Sequence, residues 1–136
     1  MWLFSVQWGV MSGVVFAVGV VVLSPLWAPM FTSDDAVRDA ILSVVLALAL
    51  LQLPAGPVFV MDGVLIGAGD LRVLARQAVI TTAVFLVAVL GVVVLDGGLA
   101  ALWAALIVWM LARLVLISLR TASDAWMHVG ADAPRR

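Results

Sequence analysis

Residues 71–95 read LRVLARQAVITTAVFLVAVLGVVVL, and the reading of this stretch decides the fold. Apolar side chains encircle it, with neither the one-sided stripe of a surface helix nor the alternation of a half-buried strand. A bilayer core about 30 Å thick takes about 20 such residues as a helix, which satisfies its own backbone hydrogen bonds. Working outward, three more stretches of the same kind appear, at 2–23, 36–66 and 99–119. The predicted fold class is all-α integral membrane, with four transmembrane helices in a region 1–120 and a polar cytoplasmic tail at 121–136. Ser24-Pro25 and Pro29 should close the first span, and Asp96-Gly97-Gly98 the third. Thr32 and Asp35 have the spacing of a capping box at the start of the second.

Composition agrees. The chain is 66% hydrophobic and 11% charged, so a soluble domain is excluded, with seven Lys+Arg against eight Asp+Glu. Every base is Arg and every acid Asp. With no cysteine there is no thiolate chemistry or disulfide framework. One histidine cannot build a metal cluster, and Asp124 and His128 read as solvated tail residues. No Ser–His–Asp or paired-carboxylate constellation marks an enzyme, so no catalytic residues, metal or cofactor are expected. A net charge of −1 offers no basic surface, which removes nucleic acid as a partner. The partner that remains is the lipid bilayer.

Orientation follows from the arginines, because cytoplasmic flanks retain them. Arg72 and Arg76 flank the connection between spans two and three, and Arg120, Arg135 and Arg136 follow span four, against Arg38 alone on the other face. Both termini are therefore expected in the cytoplasm. Trp2, Trp8 and Trp27 lie near the ends of span one, where indoles favour the interface. The first span lacks the basic leader of a signal peptide.

Polar residues inside the spans are the candidate functional groups. Asp62 lies eight residues before Asp70, roughly 12 Å from the boundary at a 1.5 Å rise per residue. An acid at that depth costs about 2.5–3.5 kcal/mol at a helix centre, so it should face protein or water. It is a coupling-ion or cationic-substrate carboxylate, or else pairs structurally with Arg113 or a neighbouring backbone amide. Arg113 lies seven residues before Arg120, at a similar depth, and reads as a structural clamp or as a gate that breaks and reforms. Pro54 and Pro57, with Gly56 between them, should kink span two and free backbone carbonyls. Gln52 adds an amide that either binds substrate or pairs with those carbonyls. Gly63 and Gly67 form a small-xxx-small pair suited to close helix packing. Trp103 and Trp109 either stack on an aromatic cation or pack.

The run from Phe59 to Arg72, with Asp62-Gly63 leading into Gly67-Ala68-Gly69-Asp70-Leu71-Arg72, resembles the end of the tenth transmembrane helix of the multidrug and toxic compound extrusion (MATE) family, in the branch named for DNA-damage-inducible protein F. Gly67, Gly69, Asp70 and Arg72 would form that family's cytoplasmic turn. Leu26 to Val37 is similar to its outer loop before the same helix, and span four, with Trp103, Trp109, Met110 and Arg113, resembles its last helix. The resemblance covers nearly the whole chain. It implies helices nine to twelve, part of the second six-helix lobe of an inner (plasma) membrane efflux antiporter. It further implies H+ or Na+ as coupling ion, cationic amphipathic compounds as cargo and the remaining transporter helices as partners. Two other readings of the residues stay open. One is a four-helix exporter acting as a dimer, like the small multidrug resistance family, although span one lacks an acid and the chain has no Glu. The other is a non-transporting membrane subunit.

Overall fold

A computed structural model describes residues 2–123 and Trp126, with the side chains of residues 2 and 3 outside the description. It contains α1 (Trp2–Phe31), α2 (Asp35–Gly67), α3 (Leu71–Val94) and α4 (Gly98–Ala122), each long and apolar enough to cross a membrane. Three-residue connections join them, so consecutive helices run antiparallel and α2 and α4 run parallel. In space the order is α1, α2, α4, α3. α1 packs on α2, α2 on α4 and α4 on α3, while α2 and α3 meet only slightly. The core lies between α2 and α4, where Val58, Leu65, Met110 and Ile117 are buried. Outside this seam large apolar side chains face outward, Val79 at 71% and Val87 at 72% exposure, as lipid-facing residues do.

The α2–α3 turn explains its glycine. Gly69 has φ +78°, its N–H donates to the Ile66 carbonyl, and the Asp70 N–H donates to the Leu65 carbonyl. These are the two bonds of a Schellman motif, which puts a left-handed residue just past the helix end. The same pair of bonds ends α3, from Asp96 to Val93 and from Gly97 to Val92. There the left-handed position is Asp96, at φ 49°.

Three expectations change. Ser24-Pro25 does not close the first helix, which continues past Leu23 to Phe31 with Pro25 and Pro29 inside it. Pro25 has no N–H for the Val21 carbonyl, and the Ser24 hydroxyl donates to that carbonyl instead, at 2.8 Å. α2 likewise carries Pro54 and Pro57 inside one helix, as a single span there requires. No Thr32–Asp35 capping box forms, because α2 starts at Asp35 and its N-cap is Asp34, whose carboxylate accepts from the Ala36 N–H. The Thr32 hydroxyl accepts from the Asp34 N–H. Finally, the stretch from residue 121 does not begin as a separate tail. α4 reaches Ala122, and the Trp126 indole N–H donates to the Thr121 carbonyl as its ring packs on the core. Asp124, His128, Arg135 and Arg136 lie outside the described residues.

Close helix packing occurs elsewhere than expected too. Neither Gly63 nor Gly67 has a non-local atom within 4 Å of where a Cβ would stand. The small residues that let backbones meet are Gly9 and Gly13 of α1 against Gly56 of α2. A Cβ on Gly13 would lie 2.6 Å from the Gln52 carbonyl oxygen, and one on Gly56 would overlap the Gly9 carbonyl oxygen.

Candidate functional site

The parallel course of α2 and α4 sets Asp62 and Arg113 side by side. Nη2 of Arg113 donates to Oδ2 of Asp62 at 2.5 Å, with side-chain exposures of 28% and 17%. Such a charge-assisted bond is stronger than a neutral one, and low-dielectric surroundings raise its Coulomb term. Two turns further on, Nε of Arg120 donates to Oδ2 of Asp70 at 2.6 Å, in a second half-buried pair. Asp70 is also the N-cap residue of α3, yet its side chain makes no capping bond. Its carboxylate serves the link to α4 instead. Arg72 and Arg76 are exposed on α3.

Arg113 has a second neighbour. Its guanidinium carbon lies 5.5 Å from the centroid of the Trp109 ring, one turn earlier on α4, and Trp109 in turn tilts against Phe85 of α3 at 5.9 Å. The cation that Trp109 meets is thus the protein's own arginine. Trp103 lies toward the other end of α4, where it lines an apolar cleft between α4 and α2.

The Asp62–Arg113 pair borders an open-sided cavity of about 380 Å³ lined by α2, α3 and α4. Gln77 and Thr81 of α3 complete its polar lining, with Ile66, Leu74 and Ile117 among the apolar residues. The Gln77 amide N–H donates to the Leu116 carbonyl at 3.0 Å and ties α3 to α4. Thr81, the buried residue of α3, returns its hydroxyl to the Gln77 and Ala78 carbonyls. Near Met61 of α2, the Ser118 hydroxyl donates to Sδ at 3.9 Å, while the Thr121 hydroxyl donates to the Ile117 and Ser118 carbonyls of its own helix.

Gln52, Pro54, Gly56 and Pro57 do not share this cavity. Pro54 and Pro57 are buried in the packing of α2, while Gln52 and Gly56 line a second cavity of about 400 Å³ on the α1 side. Sequence reading singled out Asp62 and Arg113 but missed Gln77, Thr81 and the Asp70–Arg120 pair. A signal for that pair existed, since Arg120 follows Arg113 by nearly the spacing at which Asp70 follows Asp62. No group of three or more metal-ligating residues occurs among the described residues.

Chemically, the site is an acid held by a base at the edge of a cavity inside a membrane protein. Arg113 meets both the Asp62 carboxylate and the Trp109 ring in one arrangement.

Residues 3–94, which take in α2 with Asp62 and all of α3, match the MatE family. Arg113 and α4 lie beyond the matched segment. No curated protein and no solved structure matches the chain.

Proposed function

The chain belongs to the MatE family of membrane transporters, and on that premise we propose that it is the C-terminal part, helices nine to twelve, of a cation-coupled efflux antiporter of the DNA-damage-inducible protein F-like branch. In this reading both termini face the cytoplasm, the membrane is the plasma (inner) membrane, and the remaining helices pack on the outward faces of α1 and α3. The cargo is a cationic amphipathic compound. Asp62 is the group through which H+ or Na+ acts, and Arg113 is its gate. With Asp62 ionised, the pair bridges α2 and α4. Neutralising Asp62 frees Arg113 and loosens that bridge, which gives the coupling ion a differential effect on two arrangements of the helices, as any ligand-driven transition requires.

The observation that carries this reading is the Asp62–Arg113 pair at the edge of the cavity between α2, α3 and α4. A purely structural clamp has no need of a cavity beside it. Gln77 and Thr81 add oxygen atoms to the same wall. The Gly69-Asp70 turn fastens α2 and α3 to α4 at one end, so that movement would be confined to the other.

The test uses the native locus with a C-terminal tag. An immunoblot band near three times the 14.3 kDa of this chain supports the antiporter reading, and Asp62→Asn at that locus then lowers resistance to ethidium without lowering membrane abundance. A stable membrane band near 14 kDa contradicts the fragment assignment and favours the dimeric exporter or subunit. Unchanged resistance in Asp62→Asn contradicts the coupling role.

A further inference from the structure

The first two turns of α3 carry a pair of exposed cations, Arg72 and Arg76, one turn apart on the same face. Among the described residues neither makes an ion pair or a side-chain hydrogen bond. The acids at this end of the bundle are already engaged, Asp62 by Arg113 and Asp70 by Arg120. The other described acids, Asp34, Asp35, Asp39 and Asp96, lie at the opposite end. Because Asp70 makes no capping bond to α3, the positive end of that helix dipole adds to the same field.

The face on which the two arginines stand continues as apolar surface. At about 3.6 residues per turn, Val79, Ala83 and Leu86 follow Arg72 and Arg76 along one line of the helix, and all three are exposed. Leu86 lies about 15 Å along the axis from Arg76, half the thickness of a hydrocarbon core of about 30 Å. Helical side chains lean toward their own N-terminus, and α3 begins at the membrane surface, which directs both arginines out of the bilayer. Arg76 starts about 6 Å deeper than Arg72, a distance that its side chain spans by snorkelling, so the two guanidiniums share one level. The stripe has a cationic head at phosphate depth and an apolar tail one leaflet long. A protein helix laid on it would bury two guanidiniums unless it brought acids of its own, whereas a phospholipid supplies a phosphate and an acyl chain in the order that the stripe requires. Further transporter helices then take the neighbouring flank of α3, where Ala75, Ala78 and Thr82 are small and exposed.

We infer that this stripe of α3 binds one anionic phospholipid, its phosphate between the Arg72 and Arg76 guanidiniums and an acyl chain along Val79, Ala83 and Leu86. The net charge of the headgroup sets the preference: a zwitterionic headgroup brings its own ammonium against the arginines, and phosphatidylglycerol does not. Each arginine near a membrane surface is worth about fivefold in affinity for anionic lipid. Placing that lipid in the cytoplasmic leaflet rests on the orientation proposed above; the headgroup preference does not.

The test is native mass spectrometry of the tagged protein purified from its own locus in nonionic detergent, with phosphatidylglycerol and phosphatidylcholine of the same acyl chains supplied at equal concentration. Wild-type protein should retain phosphatidylglycerol in preference. Arg72→Gln and Arg76→Gln should each lower that preference about fivefold, and the double variant roughly 25-fold. Arg38→Gln, at the opposite end of the bundle, should leave it unchanged. Soluble glycerol phosphate at the same concentration should not displace the lipid, because it has no chain to lie along the stripe. Equal retention of the two lipids or an unchanged preference in the double variant overturns the proposal and favours another helix as the cover of this face. Displacement by glycerol phosphate overturns it too, in favour of a simple phosphate site. Circular dichroism confirms that the variants, all at exposed positions, remain folded. Only retained lipid is measured, so failure of the antiporter reading leaves this result untouched, and the reverse holds as well.

Discussion

Replacing Gly56 by alanine should separate α1 from α2, and the structure sets the size of the effect. A Cβ at this position would overlap the Gly9 carbonyl oxygen and come within 3.0 Å of both Cα and N of Gly13. All three obstacles are backbone atoms, so no rotamer change can relieve them. Restoring ordinary contact near 3.5 Å requires the helices to move apart by about an ångström, and a gap of that size forfeits a quarter to a half of each contact. With on the order of 40 heavy-atom pairs at about 0.15 kcal/mol each, the interface loses roughly 2 kcal/mol, within the usual range for overpacking. The better helix propensity of alanine returns about 1 kcal/mol, for a net destabilisation of about 1 kcal/mol. Gly63 is the control, since a Cβ there meets nothing within 4 Å, and Gly63→Ala should stabilise the same helix by up to about 1 kcal/mol. The two substitutions should therefore differ by about 2 kcal/mol in the unfolding of the chain in detergent micelles, measured by steric trapping. A difference below about 0.5 kcal/mol would refute the assignment of Gly9, Gly13 and Gly56 as the α1–α2 contact.

Further outcomes follow from the ion pairs and the turns. Asp62→Ala and Arg113→Ala should each destabilise the chain by about 1–3 kcal/mol, and the double variant should cost less than the sum, because each single change leaves a half-buried charge unpaired; strictly additive values would show that the two groups do not interact. Asp70→Asn removes the bond to Arg120 as an ion pair without touching a cap, and should cost about 1 kcal/mol, read from urea or thermal unfolding in detergent; no change in stability would show that the pair contributes nothing. Asp96 holds a left-handed conformation that glycine adopts freely, so Asp96→Gly should leave stability unchanged or raise it by up to about 1 kcal/mol, whereas Gly69→Ala should lower it by about 1–2 kcal/mol. Thermal unfolding of the two turn variants checks both signs at once.

What was legible in the sequence follows from how local each determinant is. Four spans could be read directly, because an apolar surface on every side of a helix has few uses outside a bilayer. The glycine-rich turn was expected from the family resemblance, and its left-handed residue just past the helix end is Gly69. The similar depth of Asp62 and Arg113 could be read from the shared rise per residue, which left their pairing as one of the open arrangements. The end of α1 was not legible: Pro25 and Pro29 read as stops, and only the position of the Ser24 hydroxyl shows how the helix continues. Nor could Gln77 and Thr81 be assigned to the cavity, because a helix without an apolar stripe gives no sign of which face it turns to its neighbours. The glycine contact had the same difficulty. Gly9 and Gly13 show the spacing as plainly as Gly63 and Gly67 do, and which pair meets a partner depends on how the helices are rotated.

If the Asp62–Arg113 pair is the exchange point for the coupling ion, proton-driven ethidium transport in proteoliposomes made from the complete locus must depend on it. Asp62→Asn should abolish transport driven by an imposed pH gradient while reconstituted protein levels stay at wild type, and the exchanged pair Asp62→Arg with Arg113→Asp should restore stability without restoring transport. Transport at the wild-type rate in Asp62→Asn would contradict it, and would leave the pair as a structural bridge between α2 and α4.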